Sequence, residues 1–256
     1  MSEPRQQAYL KAMGIDVWVR RDADSAVAAV VPDQIAPVRQ PASVADTANN
    51  VVTPAAGAET PDVSSLGWSE LAQQVAHCQL CELHATRKQA VFGIGNQEAD
   101  WLLIGEAPGA EEDRQGEPFV GRAGQLLNAM LKAIGLEREQ VYIANILKCR
   151  PPNNRDPRPE EAACCSPYLQ RQIELIQPRL ILALGRIAAQ RLLQTNTSLA
   201  RLRGKVHTLE ATGTPVIVTY HPAYLLRSPA EKRKAWEDLQ FAHRYVMQSA
   251  TGASFS

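Results

Sequence analysis

The sequence predicts an α/β protein: a three-layer α/β/α sandwich around a central four-stranded, mainly parallel sheet, with a disordered N-terminal linker in front. Three observations carry this. Four short apolar runs, 101–104, 141–145, 180–184 and 215–219, are continuous rather than alternating, as strands covered on both faces are. Segments of helical period separate them, so strand and helix alternate, which favours parallel pairing. Residues 26–65, in contrast, are Ala, Val, Pro, Thr and Asp with neither period. Such a stretch buries too little surface to offset its ordering entropy.

The elements follow in order. Residues 3–13 read as a short helix and 16–20 as strand-like, giving an appendage over 1–25 and a linker over 26–66. The appendage is either without a role or a docking peptide for an unidentified protein. The catalytic domain spans 67–249, with a tail over 250–256. Ser69–Ala76 is a helix leading to Cys78. Trp101–Ile104 is the first strand. Between Gly124 and Ile134, apolar side chains recur at Leu126, Leu127, Met130, Leu131 and Ile134, a helical spacing ended by Gly135. Val141–Asn145 is the second strand. Pro159–Ile176 is a helix with proline at its first position. Leu180–Leu184 is the third strand, and Gly185 opens a helix running to Leu193. Pro215–Thr219 is the fourth strand, and 230–248 closes the domain as a helix. Parallel strands put their C-terminal ends at one edge, where open α/β sheets bind ligands. That edge gathers Gly105-Glu106, Asn145 and Tyr220-His221.

Lysine plus arginine and aspartate plus glutamate each number 27, so the chain is neutral. Residues 1–66 hold five basic and eight acidic residues, and the remainder holds 22 and 19. This slight basic excess is compatible with a nucleic-acid partner without requiring one. No apolar run approaches membrane-spanning length. Five clustered cysteines and no apolar leader point to a reducing, cytoplasmic setting and to metal ligation rather than disulfides. We expect a monomer that does not engage membranes.

Cys78 and Cys81 form a C-x-x-C pair, and Cys149 is followed at a distance by Cys164 and Cys165. Thiolates at such spacing ligate zinc or iron–sulfur clusters. A second compact knuckle, usual in zinc ribbons, is missing, so the spacing favours a cluster. Cys164 and Cys165 compete for the fourth position. The loop from Gly105 to Asp113 follows a strand, and its glycines let backbone approach a ligand. It lacks the Lys-Ser/Thr of a phosphate loop and the third glycine of a dinucleotide fingerprint, which disfavours both classes. Phe119, set before Gly121, is placed to stack on a planar base. His221 follows the fourth strand at the polar edge, and Arg201, Arg203 and Lys205 form a small basic cluster, either solvated or facing phosphate.

Taken together, these motifs resemble the uracil-DNA glycosylase superfamily, specifically its iron–sulfur-containing family 4. The resemblance runs from about Cys78 to Tyr245. It rests on Gly105-Glu-Ala-Pro-Gly109 with Glu112-Asp113, on Pro118-Phe-Val-Gly121, and on Asn145-Ile-Leu-Lys-Cys-Arg-Pro-Pro152. Arg203-Gly-Lys205 and His221-Pro-Ala-Tyr-Leu-Leu-Arg227 complete it. It implies a monofunctional glycosylase that hydrolyses the N-glycosidic bond of uracil in single- or double-stranded DNA, leaving an abasic site for base excision repair. It also implies one structural 4Fe-4S cluster on Cys78, Cys81, Cys149 and Cys165, choosing Cys165 over Cys164. By the same resemblance Phe119 stacks on uracil and Asn145 reads its edge, with Gly105 and Ala107 completing the substrate-binding set. His221 stabilises the departing anion. Glu106 or Glu112 orients water, and Glu112 helps to exclude the thymine methyl. Leu225 or Leu226 wedges the minor groove, while Arg203, Lys205 and Arg227 face DNA. Ala107 stands where better-known uracil glycosylases carry a water-activating aspartate, which leaves the choice of base open. Two other readings compete: a non-catalytic iron–sulfur DNA-binding module, and a zinc-stabilised hydrolase of free nucleotides.

Overall fold

A computed structural model describes residues 61–250. The expected appendage, nearly all of the expected linker and the last six residues of the expected tail lie outside the described residues. The linker was expected to end at 66, but packing starts earlier: Val63 is buried against Leu71, Val75 and Tyr168.

The strands are β1 (Ile94–Gly95), β2 (Trp101–Gly105), β3 (Tyr142–Asn145), β4 (Leu180–Leu184), β5 (Val206–Thr208) and β6 (Pro215–Thr219). They form one sheet in the order β1-β3-β2-β4-β6-β5. The four predicted strands are its parallel centre. Two short strands, β1 and β5, extend it antiparallel at each edge, so the sheet has six strands rather than four. Two or three residues are too few to show a strand period, and an edge strand needs only one partner.

The α-helices are α1 (Trp68–His77), α2 (Ala110–Gln115), α3 (Arg122–Ala133), α4 (Pro159–Ile176), α5 (Arg186–Leu192), α6 (Leu199–Leu202), α7 (Pro222–Arg227) and α8 (Lys232–Ala250). Strand side chains alternate between two cores, as the pleat requires. Leu102, Ile104, Ile181, Ala183, Val216 and Val218 pack with α4 and α5 on one face. Leu103, Ile143, Leu182 and Ile217 pack with α3 and α8 on the other. This is the predicted three-layer α/β/α arrangement.

The path from β2 leads to β3 on one side, and the path from β3 returns across β2 to β4 on the other. The chain therefore changes direction beside the C-terminal end of β2, where a crevice opens. The acidic stretch expected to be loop through Asp113 becomes helical at Ala110, because Gly109 caps α2 and three acidic residues occupy its first turn.

Candidate active site

A cleft of about 750 Å³ lies over these strand ends. Glu106, Phe119, Asn145 and His221 line it together, as do Glu112 and Arg227. The four strands bring residues 105 to 221 to one place because their pairing is parallel and in register, with Gly105 beside Asn145.

Asn145 ends β3 with only 2% of its surface exposed, and its Oδ1 has no hydrogen-bond partner within the described chain. A buried unpaired acceptor costs about 1–3 kcal/mol. A Cβ on residue 105 would fall 2.4 Å from that oxygen and 2.7 Å from the Phe119 ring, so glycine is required there. The gap at Gly105 keeps the amide and the ring on one small space.

Phe119 is held in a left-handed conformation, φ 55°, which costs a bulky residue about 1–3 kcal/mol. Several contacts hold it. Glu112 Oε1 accepts the N–H groups of Val120 and Gly121 at 3.1 and 3.2 Å. The Arg138 guanidinium donates to the Pro118 and Phe119 carbonyls at 2.5 and 3.3 Å. Gly124 lets the turn close: a Cβ there would lie 1.7 Å from the Phe119 carbonyl oxygen. Glu112 is thus engaged in fixing the loop, and Glu106 is the carboxylate with no such engagement at its side chain among the hydrogen bonds described. Burial, reinforced by the charge of Asp156 and opposed by Arg186, raises the Glu106 pKa to about 7.

His221 caps α7, with its Nδ1 accepting the Ala223 N–H at 3.1 Å. Burial, and then the nearby Arg227 charge, lowers its pKa to about 4. The ring is therefore neutral near pH 7 and carries its proton on Nε2. Its centroid stands 5.5 Å from that of Phe119. Gly185 permits this approach, since a Cβ there would meet His221 Cβ at 2.8 Å.

Two DNA-facing expectations are corrected. Leu225 is fully buried in the core under α7, so it is not available as a wedge; Leu226, 36% exposed, is. Arg203 does not face solvent as a phosphate ligand: its guanidinium is paired with Asp238 at 2.6 and 3.0 Å and lies 4.5 Å from the Tyr220 ring. Lys205 and Arg227 are exposed. Tyr220, expected at this edge beside His221, lines the cleft, as do Arg155, Asp156, Arg186 and Tyr224, which the sequence did not single out. For Tyr224 the available signal was an aromatic three residues beyond His221 at a polar strand end.

Cys78, Cys81, Cys149, Cys164 and Cys165 line a separate small pocket, all as free thiols. Among the described residues no three metal-binding side chains stand close enough to hold a single ion. Soft thiolates gathered at one pocket are the donor type that zinc and iron–sulfur clusters both take. Burial, with adjacent thiols adding repulsion, pushes Cys81 to about 11 and Cys165 to about 12. Thiolates here need cationic partners. Arg87 already donates to Cys149 Sγ at 2.8 Å, whereas Cys164 turns its Sγ to the Leu80 carbonyl. Among the described residues no helix is long and apolar enough to cross a membrane.

The model of the uracil DNA glycosylase superfamily matches residues 92–240. A type-4 uracil-DNA glycosylase of Archaeoglobus fulgidus is 47% identical over 177 residues, covering 67% of this chain and 89% of that protein. Its counterpart from Thermotoga maritima is 43% identical over 179 residues, 69% of this chain and 93% of that protein. A type-5 uracil-DNA glycosylase of Pyrobaculum aerophilum is 33% identical over 148 residues, 51% of this chain and 64% of that protein. On these matches the chain belongs to the uracil DNA glycosylase superfamily and, within it, to the type-4 enzymes.

Proposed function

We propose that this protein excises uracil from DNA by hydrolysing the N-glycosidic bond, leaving an abasic site. The observation that carries the reading is the unpaired, buried Oδ1 of Asn145 facing the space bounded by Phe119 and His221. A uracil swung out of the helix suits that space. Its face stacks on Phe119, its N3–H pairs with Asn145 Oδ1, and its O4 accepts from the Asn145 amide. Cytosine presents the reverse pattern at those two positions and would leave the buried oxygen unpaired.

The neutral His221 donates Nε2–H to uracil O2. As the C1′–N1 bond breaks, its electron pair passes to the base, and this donor stabilises the anion in a largely dry site. A water, oriented by the Glu106 carboxylate, adds to C1′ and gives its proton to that carboxylate. Among the described residues no lysine lines the cleft, which supports simple hydrolysis over a Schiff-base lyase. Glu112 shapes the loop that carries Phe119, Leu226 enters the groove left by the flipped base, and Lys205 and Arg227 contact phosphate.

Cys78, Cys81, Cys149 and Cys165 would hold one 4Fe-4S cluster. When bound, it supplies a cross-link between α1, the segment after β3 and α4, and no electron transfer is needed for hydrolysis. Cys149, four residues beyond Asn145, would tie the base-reading strand to that clasp.

Release of free uracil from a uracil-containing oligonucleotide by the pure, cluster-loaded protein tests the reading. Wild type should release uracil and leave alkali-labile sites, and Asn145→Ala should be strongly impaired. A wild-type protein that releases none would refute it.

A further inference from the structure

Arg203, held away from solvent, supports a second group of side chains at the cleft. Three large apolar side chains are exposed among the described residues: Tyr224, Leu226 and Met247. Tyr224 stands 38% exposed at the rim that carries His221. Its ring stacks on Tyr220, with centroids 5.3 Å apart and planes 17° from parallel. The Arg203 guanidinium packs against the Tyr220 ring at 4.5 Å. Arg203 is itself fixed by Asp238, 3% exposed at its side chain, and by the Lys234 carbonyl at 2.7 Å.

The order Asp238, Arg203, Tyr220, Tyr224 is thus a rigid ladder rising from the core to an open aromatic surface. Core packing alone would bury its last ring. An aromatic held flat and left accessible beside a base-reading site is what sequence-tolerant recognition of a nucleobase uses, because every base offers a π-face. Tyr220 immediately precedes His221, so the ladder is in rigid register with the group that contacts uracil.

We propose that Tyr224 is a stacking platform for the nucleobase next to the target uracil on the same strand, and that Arg203 positions it through Tyr220. The inference rests on the uracil-excision reading and adds a subsite to it. A neighbouring base held on Tyr224 is separated from the base being extruded, which makes single-stranded or unstacked DNA the better substrate. Arg203 then acts without touching phosphate.

The test uses the full, cluster-loaded chain and two single-stranded oligonucleotides with one uracil. In one, both neighbours of the uracil are bases; in the other, both are replaced by abasic tetrahydrofuran spacers. Wild type should show kcat/KM about tenfold higher on the base-flanked strand. Tyr224→Ala should lose most of that ratio, and Tyr224→Phe should keep it, because a phenyl ring stacks as well. In a parallel measurement, 2-aminopurine next to a non-cleavable uracil analogue should be quenched on binding wild type and less so on binding Tyr224→Ala. Uracil release with the same ratio in wild type and Tyr224→Ala would overturn the subsite alone. No uracil release by wild type on either strand would remove the uracil-excision reading, and the subsite with it.

Discussion

His221 Nδ1 accepts the backbone N–H of Ala223 at 3.1 Å, and this bond fixes which end of the ring can act. The proton of the neutral imidazole is left on Nε2, where a hydrogen bond to a departing base is made. Removing that donor with His221→Ala should lower kcat by about 10²–10³-fold with little change in KM, since the donor matters most as charge develops. The ring should also resist protonation. Its folded pKa, about 4, lies below the unfolded value of 6.5, so the folded chain binds fewer protons between these values. Its contribution to stability is complete above pH 6.5 and is lost as pH falls toward 4. NMR titration should find the Nε2–H tautomer down to about pH 5, and a ring titrating at 6.5 would contradict the assignment.

Glu106 has the opposite displacement, and its pKa of about 7 should appear in the rate. If the carboxylate form orients water, kcat/KM rises with pH through that value. Glu106→Gln should remove the limb. Asp156→Asn deletes a negative neighbour and should shift the limb to lower pH, while Arg186→Ala deletes the opposing positive one and should shift it higher. Two shifts in opposite directions cannot come from general damage to the fold.

The Phe119 loop predicts a steric result. A Cβ at Gly124 would lie 1.7 Å from backbone that has no flexible tip to move aside. Gly124→Ala should therefore destabilise by about 1–3 kcal/mol in thermal melts and displace Phe119. Gly105→Ala meets side-chain atoms of Asn145 and Phe119, the groups that define the base space. Because those are side-chain tips rather than backbone, it should cost less stability than Gly124→Ala yet reduce activity by at least about 10²-fold, a separation that a general packing defect would not produce.

Strand ends were legible because a continuous apolar run declares both its length and its burial, and Glu106, Asn145 and His221 sit at such ends. The partners that hold them were not. Arg203 finds Asp238 thirty-five residues away, and Lys148 finds Gln172 across twenty-four; no local period encodes such pairs. Leu225 and Leu226 are adjacent, and only the rotation of a six-residue helix turns one into the core and the other to solvent. The β1 and β5 edge strands were illegible for the same reason: their existence depends on a neighbour rather than on their own sequence.

The thiol pocket predicts a selective response to substitution. Cys149 and Cys165 are buried, while Cys164 is occupied by the Leu80 carbonyl. Protein purified without oxygen should be brown, and its broad visible band should vanish in Cys78→Ala or Cys165→Ala but persist in Cys164→Ala. Loss of the cluster should also lower the melting temperature, since ligation links α1 to α4. A colourless protein with one equivalent of zinc would refute the cluster.

Lys148 joins the clasp to the base reader and gives the last prediction. Lys148 is 1% exposed, burial lowers its pKa to about 7, and its Nζ donates to the Asn145 carbonyl at 3.1 Å, the Phe92 carbonyl at 3.2 Å and Gln172 Oε1 at 2.6 Å. An ammonium has three protons, and these three acceptors take all of them. Lys148→Met keeps nearly the length of the side chain but takes the ammonium from the Asn145 carbonyl and Gln172 Oε1, while the Phe92 carbonyl keeps the Gln172 amide at 3.0 Å; the loss should cost roughly 2–5 kcal/mol. Gln172→Leu removes one acceptor of Lys148 and one donor to the Phe92 carbonyl, but leaves Lys148 bonded to both carbonyls, so it should cost less. Because the two share a bond, their effects should not add: a double-mutant cycle in denaturant should give a coupling of about 0.5–3 kcal/mol. Since one of the three bonds anchors the backbone of Asn145, Lys148→Met should also raise KM for uracil-containing DNA relative to Gln172→Leu at equal folded fraction. Additive stabilities with unchanged KM would mean that Lys148 only fills space.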